Sequence, residues 1–299
     1  MTLKSISLFW ASPFLRTTLV ILCGLALVSC RPISARAPNP TEQAAAFATA
    51  VQEAMPTLIL SGTSWQLESF WGNTDDIWPL PTVQPTLNFF LERYAGYGGC
   101  NWFLGVHSVS ETNMRLLTPS TTRIFCDEPG VMEQEATYMV ALRNIITYSL
   151  EDQRLLGYSS ANQLLLTFVP AEMLPLEGTT WQVAMINDVN RRPLPVVSGS
   201  FITLEINGEE IGGSAGCNTY SGPVTLREGE LLSEGEMAVG QLISTRMACS
   251  EPSGVMEQEQ RFLSVLQTVV SYERGASTLV LYNADGEPVI LLGARIASE

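Results

Sequence analysis

One block of this chain occurs twice. Gly98-Gly99-Cys100-Asn101-Trp102-Phe103-Leu104-Gly105 returns as Ala215-Gly216-Cys217-Asn218-Thr219-Tyr220-Ser221-Gly222, and its flanks return with it. Leu60-Ser61-Gly62-Thr63-Ser64-Trp65-Gln66-Leu67 opens the first copy and Leu176-Glu177-Gly178-Thr179-Thr180-Trp181-Gln182-Val183 the second. Pro79-Leu80-Pro81 matches Pro193-Leu194-Pro195, and Thr122-Arg123-Ile124-Phe125-Cys126 matches Thr245-Arg246-Met247-Ala248-Cys249. Two sequences this alike must share a fold, so the 299 residues divide into two homologous domains, each long enough to bury its own core. Repetition is also a filter, because chemistry confined to one copy stands out against the other.

Between the landmarks run short segments with alternating apolar residues. Phe201-Ile202-Thr203-Leu204-Glu205-Ile206 closes on Asn207-Gly208, which reads as a strand entering a tight turn. Each copy ends in a predicted hairpin, Leu155 to Tyr158 with Leu164 to Phe168, and Leu279 to Tyr282 with Val289 to Leu292, the second turned by Asp285-Gly286. One helix interrupts each copy. It begins at the identical string Gly-Val-Met-Glu-Gln-Glu, residues 130–135 and 254–259, whose acids suit a helix N-terminus. Met132, Ala136, Met139, Leu142 and Ile146 then recur at helical spacing, as do Val255, Phe262, Leu266 and Val269, which predicts one apolar stripe per helix. The expected fold is mainly β: two tandem small antiparallel barrel-like sheets, each with one packed helix.

The N-terminus is set apart from this pattern. Lys4 and Arg16 precede the apolar run from Thr18 to Leu27, a secretion signal too short for a convincing bilayer span. Leu27-Val28-Ser29-Cys30 resembles the bacterial lipobox, which makes Cys30 the candidate lipidated N-terminus; an ordinary signal peptide with a chance cysteine is the alternative. The organisation expected is a lipoprotein signal peptide over residues 1–29, a proline-bearing tether and short helix over 30–56, and domains over 57–170 and 171–296. Within the tether, Thr41 is placed to cap an alanine-rich helix that Pro56 stops. Arg31, standing where an inner-membrane-retaining aspartate would be, favours the outer membrane if the cell has two. Cleavage before Cys30 removes both lysine and arginine charges of the signal and no acid, moving the formal charge from −14 to −16 and leaving no lysine. So acidic a surface repels phosphate backbones and excludes nucleic acid as the expected partner.

Apart from Cys23 in the signal and Cys30 at its end, four cysteines divide evenly as Cys100 with Cys126 and Cys217 with Cys249. An even count at repeated spacing in an exported chain reads as a disulfide framework, with buried free thiols as the alternative; redox activity lacks its usual Cys-x-x-Cys spacing. The chain's one histidine, His107, corresponds to Val224 in the other copy and reads as structural or exposed. It supports neither a zinc site nor a Ser-His-Asp triad, so no metal and no cofactor are expected. Asp75-Asp76 and Glu209-Glu210 do not recur between copies and read as solvated surface. Gly212-Gly213-Ser214-Ala215-Gly216 lacks the lysine of a phosphate loop and reads as a turn or bulge. Asn101 and Asn218, kept after the cysteine, are read as turn residues that tolerate left-handed backbone, with a polar contact to a ligand as the alternative.

The opening Gly-Thr-x-Trp, the Gly-Cys-Asn-x-aromatic-x-Gly block, Thr-Arg-x-x-Cys, the single helix and the terminal hairpin together resemble the META domain, the family of the HslJ-like heat-shock proteins. The resemblance covers roughly residues 58–169 and 174–293; the first copy departs from the pattern at Trp102 and at Ile124-Phe125. The motif positions it marks are Trp65, Gly99, Asn101 and Gly105, and Trp181, Gly216, Asn218, Gly222 and Thr245. It implies a lipocalin-like barrel with one helix, in envelope or secreted proteins tied to stress tolerance, with no catalytic residues to carry over. The function expected is therefore a non-enzymatic, lipid-anchored envelope protein that binds or shields another envelope component. A small apolar ligand held inside a barrel, with Trp65 and Trp181 in its lining, is the second reading, and a hydrolase built on acids of one copy the third.

Overall fold

The computed structural model describes residues 60–71, 76–188, 190 and 192–295. The signal peptide, Cys30, the tether with its helix, Asp75 and the Asp76 side chain lie outside the described residues.

Copy one runs β1 (Thr63–Trp71), β2 (Asp76–Ile77), β3 (Thr86–Phe89), β4 (Arg93–Tyr97), β5 (Trp102–Ser110), β6 (Asn113–Leu116), β7 (Ser120–Thr121), α1 (Val131–Asn144), β8 (Thr147–Glu151), β9 (Arg154–Tyr158) and β10 (Leu164–Pro170). Copy two repeats it as β11 (Trp181–Asn187), β12 (Pro193–Pro195), β13 (Thr203–Asn207), β14 (Glu210–Ser214), β15 (Thr219–Glu228), β16 (Glu234–Val239), β17 (Ile243–Ser244), α2 (Val255–Leu266), β18 (Val269–Arg274), β19 (Thr278–Asn283) and β20 (Pro288–Ala294). In copy one the circuit β1-β3-β4-β5-β6-β8-β9-β10 closes through β10 on β1, an antiparallel barrel of eight strands. Copy two follows the same order from β11 to β20, with β20 pairing β11. Closure removes the unpaired edges that an open sheet of this length would expose. Both copies carry a register shift at the same place on the first strand, between Leu67 and Ser69 and between Val183 and Met185.

Alternation places the cores. Along β5, Phe103, Val109 and their alternates are buried while Val106 and Ser108 face out, the period-2 pattern of a half-buried strand. Trp65, Leu87, Phe89, Phe103, Tyr138 and Phe168 belong to one buried cluster, and Trp181, Ile202, Leu204, Tyr220, Phe262 and Leu292 to the other. Gly212-Gly213-Ser214 is not a turn but part of β14; the turn follows at Ala215 and Gly216. Gly213 is needed there because a Cβ would stand 2.2 Å from the Thr203 carbonyl oxygen, just as a Cβ at Gly96 would stand 2.1 Å from that of Thr86.

The first helix departs from the expected stripe, whereas in the second Val255, Phe262 and Leu266 are buried as expected and Val269, also buried, opens β18. In α1 the buried residues are Val131, Glu135, Tyr138 and Leu142, while Ala136 is exposed and Ile146 lies beyond the helix end. In α2 they are Val255, Gln258, Glu259, Phe262 and Leu266. Each helix also buries an acid, Glu135 or Glu259, which apolar periodicity cannot see.

The two copies are joined along their sides. Phe90 and Ala95 of copy one pack with Ala184, Met185, Val280, Tyr282 and Leu291 of copy two. Asn88, fully buried, ties them by polar bonds: its Nδ2 donates to the Ala95 carbonyl at 3.1 Å and to Thr278 Oγ1 at 2.8 Å, and its Oδ1 accepts the Ala276 N–H at 2.9 Å. Both N–H donors and the carbonyl oxygen of this amide are bonded, which satisfies the requirement for burying it.

Candidate functional site

The repeated motif folds into one polar network, built twice. Gly99 and Gly216 take φ of 122° and 116°, left-handed values open to glycine, and turn the chain so that the next two backbone N–H groups point at the helix. The Cys100 and Asn101 N–H groups donate to Glu135 Oε2 at 2.9 and 2.6 Å, and Asn101 Nδ2 donates to Glu135 Oε1 at 2.7 Å. In copy two, Cys217 and Asn218 N–H donate to Glu259 Oε2 at 3.3 and 2.7 Å, and Asn218 Nδ2 to Oε1 at 2.8 Å. The asparagine reaches the other way as well. Asn101 Oδ1 accepts from Thr122 Oγ1 at 2.8 Å and from the Ile124 N–H at 2.7 Å; Asn218 Oδ1 accepts from Thr245 Oγ1 and the Met247 N–H, both at 2.7 Å. Asn101 thus links three chain segments through its side chain rather than adopting a left-handed turn of its own, a correction to the sequence expectation whose cause is that the glycine before it supplies the turn.

The cysteines close the same junction. Cys100 is bonded to Cys126 and Cys217 to Cys249, with Cα–Cα separations of 5.9 and 6.0 Å. The disulfides fasten the Gly-Cys-Asn turn to the Thr-Arg segment that Asn101 and Asn218 also hold. Gly105 and Gly222 permit close approach, a Cβ at the first meeting the Tyr94 ring at 2.5 Å and at the second Leu242 Cδ2 at 2.8 Å.

Glu135 and Glu259, central to both networks, were read in the sequence only as acids near a helix start. The available signal was the identity of the whole string through its sixth residue in both copies. The glutamine between the acids works too: Gln134 Oε1 accepts the Leu80 N–H at 2.6 Å, and Gln258 Oε1 that of Val197 at 2.5 Å. The Pro-Leu-Pro match is therefore not a structural equivalence, because the glutamine grips Leu80 in one copy and a residue beyond Pro195 in the other.

The remaining candidates fall into structural places. Trp65 donates its indole N–H to Thr63 Oγ1 at 2.7 Å and Trp181 to the Leu176 carbonyl at 3.1 Å; both are in the packed cores and neither lines a cleft described below. His107 is buried, stacks edge-on to Phe89, and bonds the Phe90 carbonyl through Nε2 at 2.9 Å, which assigns the proton to that nitrogen. Burial pushes its pKa below the ordinary histidine range, against the opposing effect of the Phe90 carbonyl. Glu209 and Glu210 are exposed.

Among the described residues, three clefts are lined by both copies, one of them, of about 420 Å³, by Arg93, Leu104 and Leu117 with Met185 and Ile290. A second, of about 370 Å³, sets Arg93 of copy one opposite Glu273 and Tyr282 of copy two. Burial raises the Glu273 pKa above the usual carboxylate range, with the Tyr282 hydroxyl it accepts from and the Leu91 N–H acting in the other direction. Copy one holds Ser149 and Tyr158 at the equivalent strand positions, 3.3 Å apart, so the acid belongs to copy two alone. The third, of about 850 Å³, is bounded by Trp102 and residues 122–125 on one side and 195–201 on the other.

A fold of this order carrying the doubled Gly-Cys-Asn network meets the profile of the META domain over residues 58–172 and again over 174–296. The chain belongs to the META domain family. No curated protein matches it significantly. Among solved structures, an NMR structure of a protein from Burkholderia xenovorans is similar over 40% of this chain and 83% of its own, at 23% identity and a TM-score of 0.32. A second NMR structure covers 38% of this chain and 92% of its own at 22% identity and a TM-score of 0.31. Aeromonas veronii immune modulator A spans 84% of this chain and 100% of its own at 12% identity and a TM-score of 0.25. Likenesses this distant carry no argument about what this META domain protein binds.

Proposed function

We propose that this protein is a non-enzymatic, lipid-anchored component of the cell envelope, in which two joined META domains bind or shield another envelope component under stress. The observation that carries the reading is how the repeated motif is used. Asn101, Asn218, Glu135 and Glu259 spend their polar atoms on backbone and on one another, so the most conspicuous residues of both copies hold the fold and leave interaction to the outer faces. Two disulfides suit an oxidising compartment, which agrees with export. Lipidation rests on the lipobox resemblance around Cys30.

The address is tested by metabolic palmitate labelling: the parent chain is expected to label and to partition into membranes, and a Cys30→Ala protein that still does both refutes the anchor. The binding role is tested by crosslinking in intact cells followed by pulldown. Absence of any specific crosslinked envelope component, together with unchanged stress tolerance on deletion, refutes it.

A further inference from the structure

We propose that the largest cleft between the copies binds a single-chain anionic amphiphile, a free long-chain fatty acid, with the acyl chain against Trp102, Ile124, Phe125 and Phe201 and the carboxylate on Arg123. The inference goes beyond the envelope reading and does not depend on the anchor.

Three observations converge on this cleft. Trp102, Ile124 and Phe125, the positions at which copy one leaves the repeated pattern, stand far apart in the motifs yet line one space. Copy two has Thr219, Met247 and Ala248 at these positions, so the two aromatic rings belong to copy one alone, on the side facing the other copy. Second, Phe125, Phe201 and Ile124 are 75, 62 and 52% exposed, an apolar group that water meets directly in an otherwise acidic protein. Third, the charge is selective. The chain has 30 acids, yet among the described residues no acid lines this cleft, its one charged residue is Arg123, and Arg123 makes no ion pair. The matching Arg246 of copy two lies instead in a cleft with Glu257 and Glu259. An apolar trough with one unneutralised guanidinium complements a ligand that is aliphatic along its length and anionic at one end. An extended peptide fits less well, because β12 at this wall begins and ends in proline, whose missing N–H groups weaken strand addition.

The test titrates palmitate and the uncharged hexadecanol into the full chain carrying Cys30→Ser, which removes the acylation site. Expected is saturable binding of one palmitate per chain, with hexadecanol at least tenfold weaker. Arg123→Ala and Phe125→Glu are each expected to weaken palmitate binding at least tenfold, whereas Arg246→Ala leaves it unchanged. Both altered side chains are exposed, so thermal unfolding of the variants should match the parent. Photocrosslinking of the parent chain with a diazirine fatty acid supplies a readout without variants and should label peptides holding residues 122–126 and 195–201. Any of four results overturns the proposal: no saturable palmitate binding, hexadecanol binding equal to palmitate, a lysophospholipid bound where palmitate is not, or labelling confined to peptides of the barrel cores.

Discussion

The two cores contain a reciprocal exchange that yields a sharp stability prediction. In copy one the helix residue Tyr138, fully buried, donates its hydroxyl to the Thr86 carbonyl at 3.1 Å, and the strand residue facing it is Phe103. In copy two the strand carries Tyr220, which donates to the Thr203 carbonyl at 3.0 Å, and the helix carries Phe262. Thr86 and Thr203 are equivalent, as are Phe103 with Tyr220 and Tyr138 with Phe262. Each core thus holds one hydroxyl for one carbonyl, delivered from opposite sides. Tyr138→Phe removes a single oxygen and leaves the carbonyl without that donor, a loss of about 1–3 kcal/mol when the acceptor stays buried and unpaired. Adding Phe103→Tyr supplies the donor from the strand, as copy two does, and should recover at least half of the loss. Urea unfolding followed by both fluorescence and circular dichroism measures this as a shift in midpoint at constant slope, with coincident probes required because two domains are present. The reasoning fails if Tyr138→Phe costs less than roughly 0.5 kcal/mol, below the usual net value of such a bond, or if the double variant is no more stable than the single one. The same cycle in copy two, Tyr220→Phe followed by Phe262→Tyr, must behave alike.

Glu135→Ala strips three donors of their acceptor and should cost about 3 kcal/mol or more, read as a fall in urea midpoint larger than that of any exposed acid such as Glu133. Asn88→Ala removes the polar tie between copies and should make the chain around residues 170–176 more susceptible to limited proteolysis, with both disulfides intact. His107→Val is expected to flatten the acid side of the stability profile. Its folded pKa lies below the unfolded value of 6.5, so the parent loses stability as pH falls below that value, and thermal unfolding across pH 7 to 5 should show a smaller fall in the variant. Glu273→Gln acts on the opposite side. A folded pKa raised above 4.5 contributes stability at low pH that is lost as pH rises through the folded value, and the variant should lose less on going from pH 4.5 to neutrality.

Much of the fold was legible because its signals are local. The strand ending at Asn207-Gly208 and the hairpin turned at Asp285-Gly286 follow from alternation and turn residues a few positions apart, and Gly208 and Gly286 have the positive φ such turns require. The cysteine pairing was legible through the repeat. The polar part of each buried helix face is not legible, because Glu135 and Glu259 look like surface acids until the N–H groups that satisfy them are brought in from 34 to 42 residues away. The Tyr/Phe exchange was invisible for a related reason: neither position alone departs from an aromatic, and only the shared carbonyl reveals that the two vary together.

The sequence by itself determined that there are two like domains, that each is a β structure with one helix, and that Gly-Cys-Asn and Thr-Arg-x-x-Cys belong together. These follow from repetition and short-range periodicity, which are properties of the chain alone. Tertiary structure decided which acid is buried, where the two barrels meet through Asn88, and that Trp102, Ile124 and Phe125 line one cleft with Arg123. The physical reason is that desolvation and pairing are set by neighbours in space, and closing a barrel brings residues from distant strands to the same point.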